Sequence, residues 1–234
     1  MRLRRSTTEL YRERHGVSRR SKILVILFLM GLTQASAQGQ DVFRYPLGPQ
    51  TEEAFRTTCS RLAQHKYIKG NFEQEKTISR LERSLKSSGN FIIASQLGMV
   101  WDTVKPFPST LTLGSDFMIQ SRPGGQKTVL SAQGNETFIR MAEVLSAVFS
   151  GNTKGLLDNF EIYYSGGVSA WEMGLSPLDK AITSIASKII MKGDSAIRSI
   201  QILEQSGDTI NYFLSNHSYP EELNVQEKSF FSVP

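Results

Sequence analysis

Apolar residues along this chain recur with two different periods, and the changes of period mark its elements. In TEEAFRTTCSRLAQ, residues 51–64, Phe55, Cys59 and Leu62 are spaced by four and three. Glu52 and Glu53 stand where the positive end of a helix dipole favours acids, so the stretch predicts a short amphipathic helix. From Tyr67 the period drops to two. Ile68 and Phe72 fall in an alternating context over 67–75. Phe91, Ile93, Ser95, Leu97, Met99 and Trp101 then share one face of a stretch read as a single strand over 91–101, with Gly89 and Gly98 as turn or bulge positions. Trp101 is the last ring of that stripe. Pro106 and Pro108 follow, and the ladder donors they remove end the strand.

Leu111, Leu113, Phe117 and Ile119 continue the strand pattern around a turn at Gly114-Ser115-Asp116, and Arg122-Pro123-Gly124-Gly125 turns into a strand over 128–130. The helical period returns with Phe138, Met141, Leu145, Val148 and Phe149 on one stripe, and Gly151 stands where a stop is expected. From Phe160 the pattern is extended again, through 162–164 and 170–173 to Leu175-Ser176-Pro177-Leu178-Asp179. A short helical turn over 181–186 precedes Ile189-Ile190-Met191. A hairpin then joins Ile200 and Ile202 to Ile210, Tyr212 and Leu214 across Ser206-Gly207-Asp208. The fold class is α+β, mainly β: one antiparallel sheet with helices packed on one face.

One strand carries more apolar surface than a single buried face requires. Ile92, Ala94 and Val100 alternate with Phe91, Ile93 and Met99. Two explanations fit: a strand buried on both faces, or a curved sheet whose inner face, lidded by the 138–149 helix, keeps an apolar cavity.

The N-terminus changes how the charge is read. Arg19, Arg20 and Lys22 precede a 10-residue apolar run, Ile23 to Leu32, followed by Ala35-Ser36-Ala37. That is the layout of a secretory signal peptide cleaved near Ala37, and the run is too short to span a bilayer. The Arg19-Arg20 pair is common in basic head regions and does not mark a twin-arginine route. The chain has 27 Lys+Arg and 22 Asp+Glu; residues 1–37 hold 8 and 2 of them, leaving 19 and 20 and a net charge of −1. The basic character belongs to the export segment, so nucleic acid is not an expected partner. The expected organisation is a signal peptide over 1–37, a flexible mature N-terminus over 38–50 and a single domain over 51–234.

Cys59 is the only cysteine, so no internal disulfide forms, and it lies too far from the cut to carry a lipid anchor. It is read as a half-buried helix residue rather than a reactive thiol. Beyond the export segment only His65 and His217 remain, without metal-ligand spacing, and there is no nucleophile elbow or phosphate-cradling loop. Asp158 and Glu161 flank Phe160 as a solvated strand edge. Asn135 and Asn216 begin glycosylation-type triplets that are given no role. Neither an enzyme nor a metal or cofactor is expected.

Ile68-Lys69-Gly70-Asn71-Phe72-Glu73-Gln74-Glu75-Lys76, then Ser88-Gly89-Asn90-Phe91, then Trp101 ahead of Lys105-Pro106, resemble in order the N-terminal part of LolA, the family of periplasmic carriers of outer-membrane lipoproteins. Leu175-Ser176-Pro177 and Gly207-Asp208 also fall where LolA-like proteins have comparable features, so the resemblance spans about residues 52 to 231. It implies a half-open antiparallel β-barrel of about eleven strands, with helices as a lid over an apolar cavity. It implies a periplasmic carrier that takes acyl chains of lipoproteins or related lipids from an inner-membrane lipoprotein-releasing transporter to an outer-membrane acceptor. A monomer is expected. The alternative is an envelope-stress regulatory module of the same fold that binds lipidated or misassembled envelope components.

By motif, Leu62 matches a cavity-facing helix position, and Phe72, Phe91, Ile93, Met99 and Trp101 match cavity strands. Met141, Leu145 and Phe149 are lid candidates chosen from periodicity more than from motif. One departure is local. Where proteobacterial LolA has an Arg-Pro pair whose arginine holds the lid closed, this chain has Ser95 and Gln96. A serine reaches less far and donates fewer hydrogen bonds.

Overall fold

A computed structural model describes residues 41–114, 117–125, 127–131, 147 and 152–232. The expected signal peptide and the lid candidates Met141, Leu145 and Phe149 lie outside the described residues.

Eleven strands form one antiparallel sheet: β1 (Tyr67–Ile78), β2 (Arg83–Ala94), β3 (Gly98–Lys105), β4 (Ser109–Leu113), β5 (Phe117–Ser121), β6 (Thr128–Ser131), β7 (Phe160–Gly167), β8 (Ala170–Pro177), β9 (Lys188–Gly193), β10 (Ile197–Leu203) and β11 (Thr209–Ser218). Their spatial order is β6-β5-β4-β3-β2-β1-β11-β10-β9-β8-β7. The sheet does not close: β6 and β7 are its two edges, giving the expected mainly-β, half-open barrel. Two meanders are thus joined at their first and last strands, and β1 pairs with β11 from Lys69 opposite Ser218 to Thr77 opposite Thr209. Among the described residues the α-helices are α1 (Glu52–Leu62), α2 (Thr153–Asn159), α3 (Lys180–Thr183) and α4 (Val225–Ser229).

The inner face carries the main core. Phe55, Cys59 and Leu62 of α1 meet Phe72, Phe91, Ile162, Tyr164, Met173, Leu175 and Met191 from five strands, which is the stripe the helical spacing predicts. Thr58 is buried beside them, and its Oγ1 lies 2.7 Å from the Tyr164 hydroxyl, so neither polar group is left without a partner. Burial pushes the Cys59 thiol up to about 12, which leaves it inert at neutral pH.

The stretch 91–101 is corrected from one strand to a hairpin. β2 ends at Ala94, residues 95–97 turn, and β3 starts at Gly98 with φ +116. A Cβ at Gly98 would stand 1.9 Å from the Leu113 carbonyl oxygen, so only glycine fits there. Phe91 pairs with Trp101 and Ile93 with Met99. Directly opposed residues share a face, so the predicted stripe survives although the chain reverses within it.

The outer face of the same strands is covered as well. Tyr67, Ile92, Ala94 and Val100 pack with Leu223, and Phe230 and Phe231 close over them. For Ile92, Ala94 and Val100 the two-faced explanation therefore holds. The C-terminal segment is fixed there by a capping box: the Asn224 side chain accepts from the Glu227 N–H at 2.9 Å, and the Glu227 carboxylate accepts from the Asn224 N–H at 2.9 Å. Lys69 pairs with Glu227. Burial works against the charge on Glu227, but Lys69 and the Asn224 N–H outweigh it and hold the carboxyl below its ordinary range. Asn224→Ala is expected to cost about 1 kcal/mol, read as a lower urea midpoint at unchanged slope.

Residues 41–50, part of the stretch expected to be flexible, are held against the sheet. Val42 is fully buried, and the Phe43 ring meets Tyr163 edge-on at 5.1 Å. Tyr45 accepts from the Tyr164 N–H and Leu47 donates to Ile162, at 2.9 and 2.8 Å. The free edge of β7 is thereby covered, which removes a template for strand pairing between molecules.

Candidate functional site

A narrow cleft opens where α1 meets one end of β1, β2 and β11. Leu62, Ile68, Phe91, Ile93, Ile197 and Leu214 form its apolar wall, and His65, His217 and Tyr219 stand beside them. Its free volume is about 20 Å³, which holds little more than one water. At that size the cleft does not accommodate an extended ligand.

Next along the inner face is an aromatic set. Trp101 lies nearly parallel to Phe72 at 4.2 Å and to Phe91 at 5.9 Å, and meets Tyr212 edge-on at 5.2 Å. Phe72 and Phe91 are 1% exposed, whereas Trp101 and Met99 are only partly buried. A large ring at the inner surface, backed by two buried rings, forms a rigid apolar wall. Burial pushes the Tyr212 hydroxyl up to about 12, with Glu204 adding to the effect, so it stays neutral.

The residues expected at the site divide into three groups. Leu62, Phe91 and Ile93 line the cleft. Phe72, Met99 and Trp101 belong to the same core beside it. Met141, Leu145 and Phe149 lie outside the described residues. Ser95 and Gln96 occupy the β2–β3 turn, where the Ser95 N–H donates to the Lys66 carbonyl at 3.1 Å. Among the described residues no three His, Cys, Asp or Glu side chains gather as a metal site.

His217 and Tyr219 were not read as site residues, and the cause is a bulge. By strict alternation from Leu214, position 217 points outward. The register with β1 shifts between Lys69 and Asn71, and Asn216 takes φ +52. The extra residue reverses the parity beyond it. His217 accordingly meets the Phe91 ring at 5.7 Å, while Tyr219 stacks on His65 at 3.8 Å. The available sequence signal was Asn216 itself, a residue type that tolerates the left-handed region.

The polar side of the cleft is an ordered network. Arg198 donates from Nε to the Asp194 carboxylate at 3.0 Å, and its Nη1 lies 3.3 Å from His217 Nδ1. Burial first, then Arg198, lowers the His217 pKa below its usual 6.5. Neutral imidazole is thus favoured in the folded state, and the unfolded chain binds the proton more readily. The stability this contributes is present above pH 6.5 and is lost as pH falls from there through the folded value. A lower urea midpoint at pH 5.5 than at pH 7.5 is expected, and His217→Gln is expected to shrink the difference.

The family model described as outer membrane lipoprotein carrier protein LolA-like matches residues 54–219. No curated protein matches the chain. Among solved structures, the chain is similar to a LolA superfamily protein from Nitrosomonas europaea at 8% identity, covering 78% of this chain and 97% of that one with a TM-score of 0.43. It is also similar to LprF from Mycobacterium bovis at 10% identity, covering 77% and 98% with a TM-score of 0.41. A third likeness is to the MucA/MucB complex of Pseudomonas aeruginosa at 9% identity, covering 79% and 61% with a TM-score of 0.45.

Proposed function

The chain belongs to the LolA-like family of outer membrane lipoprotein carrier proteins, and we propose that it is an exported, non-enzymatic carrier that holds the acyl chains of a lipoprotein or related lipid against the inner face of its sheet. The observation that carries this reading is the inner wall. Trp101 and Met99 are left partly open beside a small apolar cleft, with Ile200, Ile202 and Tyr212 also partly open against the same core.

Carriage needs tight holding and assisted release. At about 0.8 kcal/mol per CH₂, a chain of roughly fourteen methylenes costs on the order of 11 kcal/mol to expose to water. Spontaneous loss is negligible on that scale, so cargo passes directly between protein mouths. The donor in this reading is an inner-membrane lipoprotein-releasing transporter and the recipient an outer-membrane acceptor. The 1–37 signal peptide, cleaved near Ala37, delivers the chain to the periplasm. Met141, Leu145 and Phe149 are the proposed lid, and its displacement opens the cleft.

The test is to purify the exported protein, extract it with solvent and identify lipid by mass spectrometry, then offer acylated peptide to the stripped protein. Endogenous lipid and acyl-dependent binding are expected. Absence of both contradicts the proposal, and a deletion strain with normal lipoprotein sorting but altered stress signalling favours a regulatory module instead.

A further inference from the structure

In a meander the turns alternate between the two ends of the sheet. The β1–β2, β3–β4 and β5–β6 turns therefore come out at one end, and the register keeps them side by side, with Ser88 opposite Lys105 and Thr110 opposite Ser121. These turns and the residues flanking them hold Arg80, Arg83, Lys86, Lys105, Arg122 and Lys127 against the carboxylates of Glu75 and Glu82. All six cations are exposed. Among the described residues only Lys86 of the six has an ion-pair partner, Glu75 at 3.8 Å. Residues 38–234 carry a net charge of −1, so an edge at +4 is set against −5 over the rest. Two acids of the adjacent β10–β11 turn, Glu204 and Asp208, are engaged: Glu204 with Lys76 at 2.9 Å, and Asp208 with the Ser79 N–H at 3.0 Å.

The same edge presents apolar side chains to water. Phe107 is 81% exposed, Leu81 61% and Leu85 57%. Phe107 stands between Pro106 and Pro108, which fix the backbone on both sides of it. Apolar tips interleaved with lysine and arginine match the boundary of an anionic bilayer, where the rings enter the headgroup layer and the cations meet lipid phosphate. The groups stand on separate turn tips, which suits shallow insertion into lipid better than capture of a folded partner. Leu85 shares the inner-face parity of Phe91, so the edge leads onto the inner wall of the sheet.

We propose that this edge, with Phe107, Leu81, Arg83 and Lys105 at its centre, docks the protein on the surface of an anionic lipid bilayer. The inference goes beyond the carrier reading and does not need it, since docking and acyl binding are measured separately.

The test is flotation of the protein comprising residues 38–234 with vesicles of phosphatidylcholine alone or with about 30% phosphatidylglycerol. Expected is partition onto the anionic vesicles only, weakening steeply with added salt. Arg83→Gln and Lys105→Gln are each expected to lower partition about fivefold. Phe107→Ser is expected to lower it at least as much, while Val225→Ser, also a highly exposed apolar site, leaves it unchanged. Circular dichroism checks that each variant is folded. Equal partition on both vesicles, no partition at low salt, or indifference to Phe107→Ser overturns the proposal. So does capture of an acidic protein through Arg83 and Lys105 without vesicle binding. Retention of acyl-peptide binding in each of these cases leaves the carrier reading standing.

Discussion

Phe72→Ala is expected to lower the unfolding free energy by about 3–5 kcal/mol, the largest stability loss of any single change considered. Phe72 is 1% exposed, lies on the central strand β1, and supports Trp101 at 4.2 Å. Truncation removes the transfer energy of the ring and leaves a cavity between neighbours fixed by ladder hydrogen bonds on both sides. Domains of this size have roughly 5–15 kcal/mol in total, so the variant is expected to be partly unfolded at 37 °C. Phe213 supplies the control. It sits one residue from Leu214 on the adjacent strand but is 52% exposed, and Phe213→Ala is expected to cost less than about 0.5 kcal/mol. Urea titrations of both variants check the contrast; equal losses would place the core on the wrong face.

Trp101→Ala is expected to act mainly on binding. The ring is partly open on the inner face, so its loss costs less stability than loss of Phe72, yet it removes the rigid surface proposed to meet the acyl chain. A contact worth about 1.5–3 kcal/mol corresponds to an affinity for acylated peptide roughly 10 to 100 times weaker. Isothermal titration with stripped protein measures it. An unchanged affinity would remove Trp101 from the site and leave it as ordinary packing.

Much of this fold was legible because antiparallel pairing preserves the very signal that reveals strands. Phe91, Ile93, Met99 and Trp101 were placed on one face although they were assigned to one strand. The hairpin that replaces that strand pairs Phe91 with Trp101 and Ile93 with Met99, so parity carries across the turn. The same logic fails where parity breaks. Asn216 inserts a bulge, and His217 and Tyr219 enter the cleft against the alternating pattern. Elements fixed by long-range contact were also hidden. The five residues of α4 are too few to show a helical period, and their place depends on Leu223, Phe230 and Phe231 finding the outer face of β2 and β3. Val42 and Phe43 likewise read as tail until β7 and β8 are there to receive them.

The site was legible in its walls and not in its polar side. Leu62, Phe91 and Ile93 carry periodic signals from α1 and β2. Ser195, Ala196 and Ile197 reach the cleft from the β9–β10 connection, more than a hundred residues away in the chain, and no local pattern brings them there. The placement of Ser95 and Gln96 on a turn bears on gating. A serine there reaches less far than the arginine of proteobacterial LolA and donates fewer hydrogen bonds.

The most direct test of the central claim is the affinity of stripped protein for one peptide carrying acyl chains of increasing length. Burial of the chain against the inner wall predicts roughly a fourfold gain per methylene, from about 0.8 kcal/mol each, until the cavity is filled. That gain should be lost in Trp101→Ala over the segment of chain the ring contacts. An affinity independent of chain length, or equal for the unacylated peptide, would contradict the account.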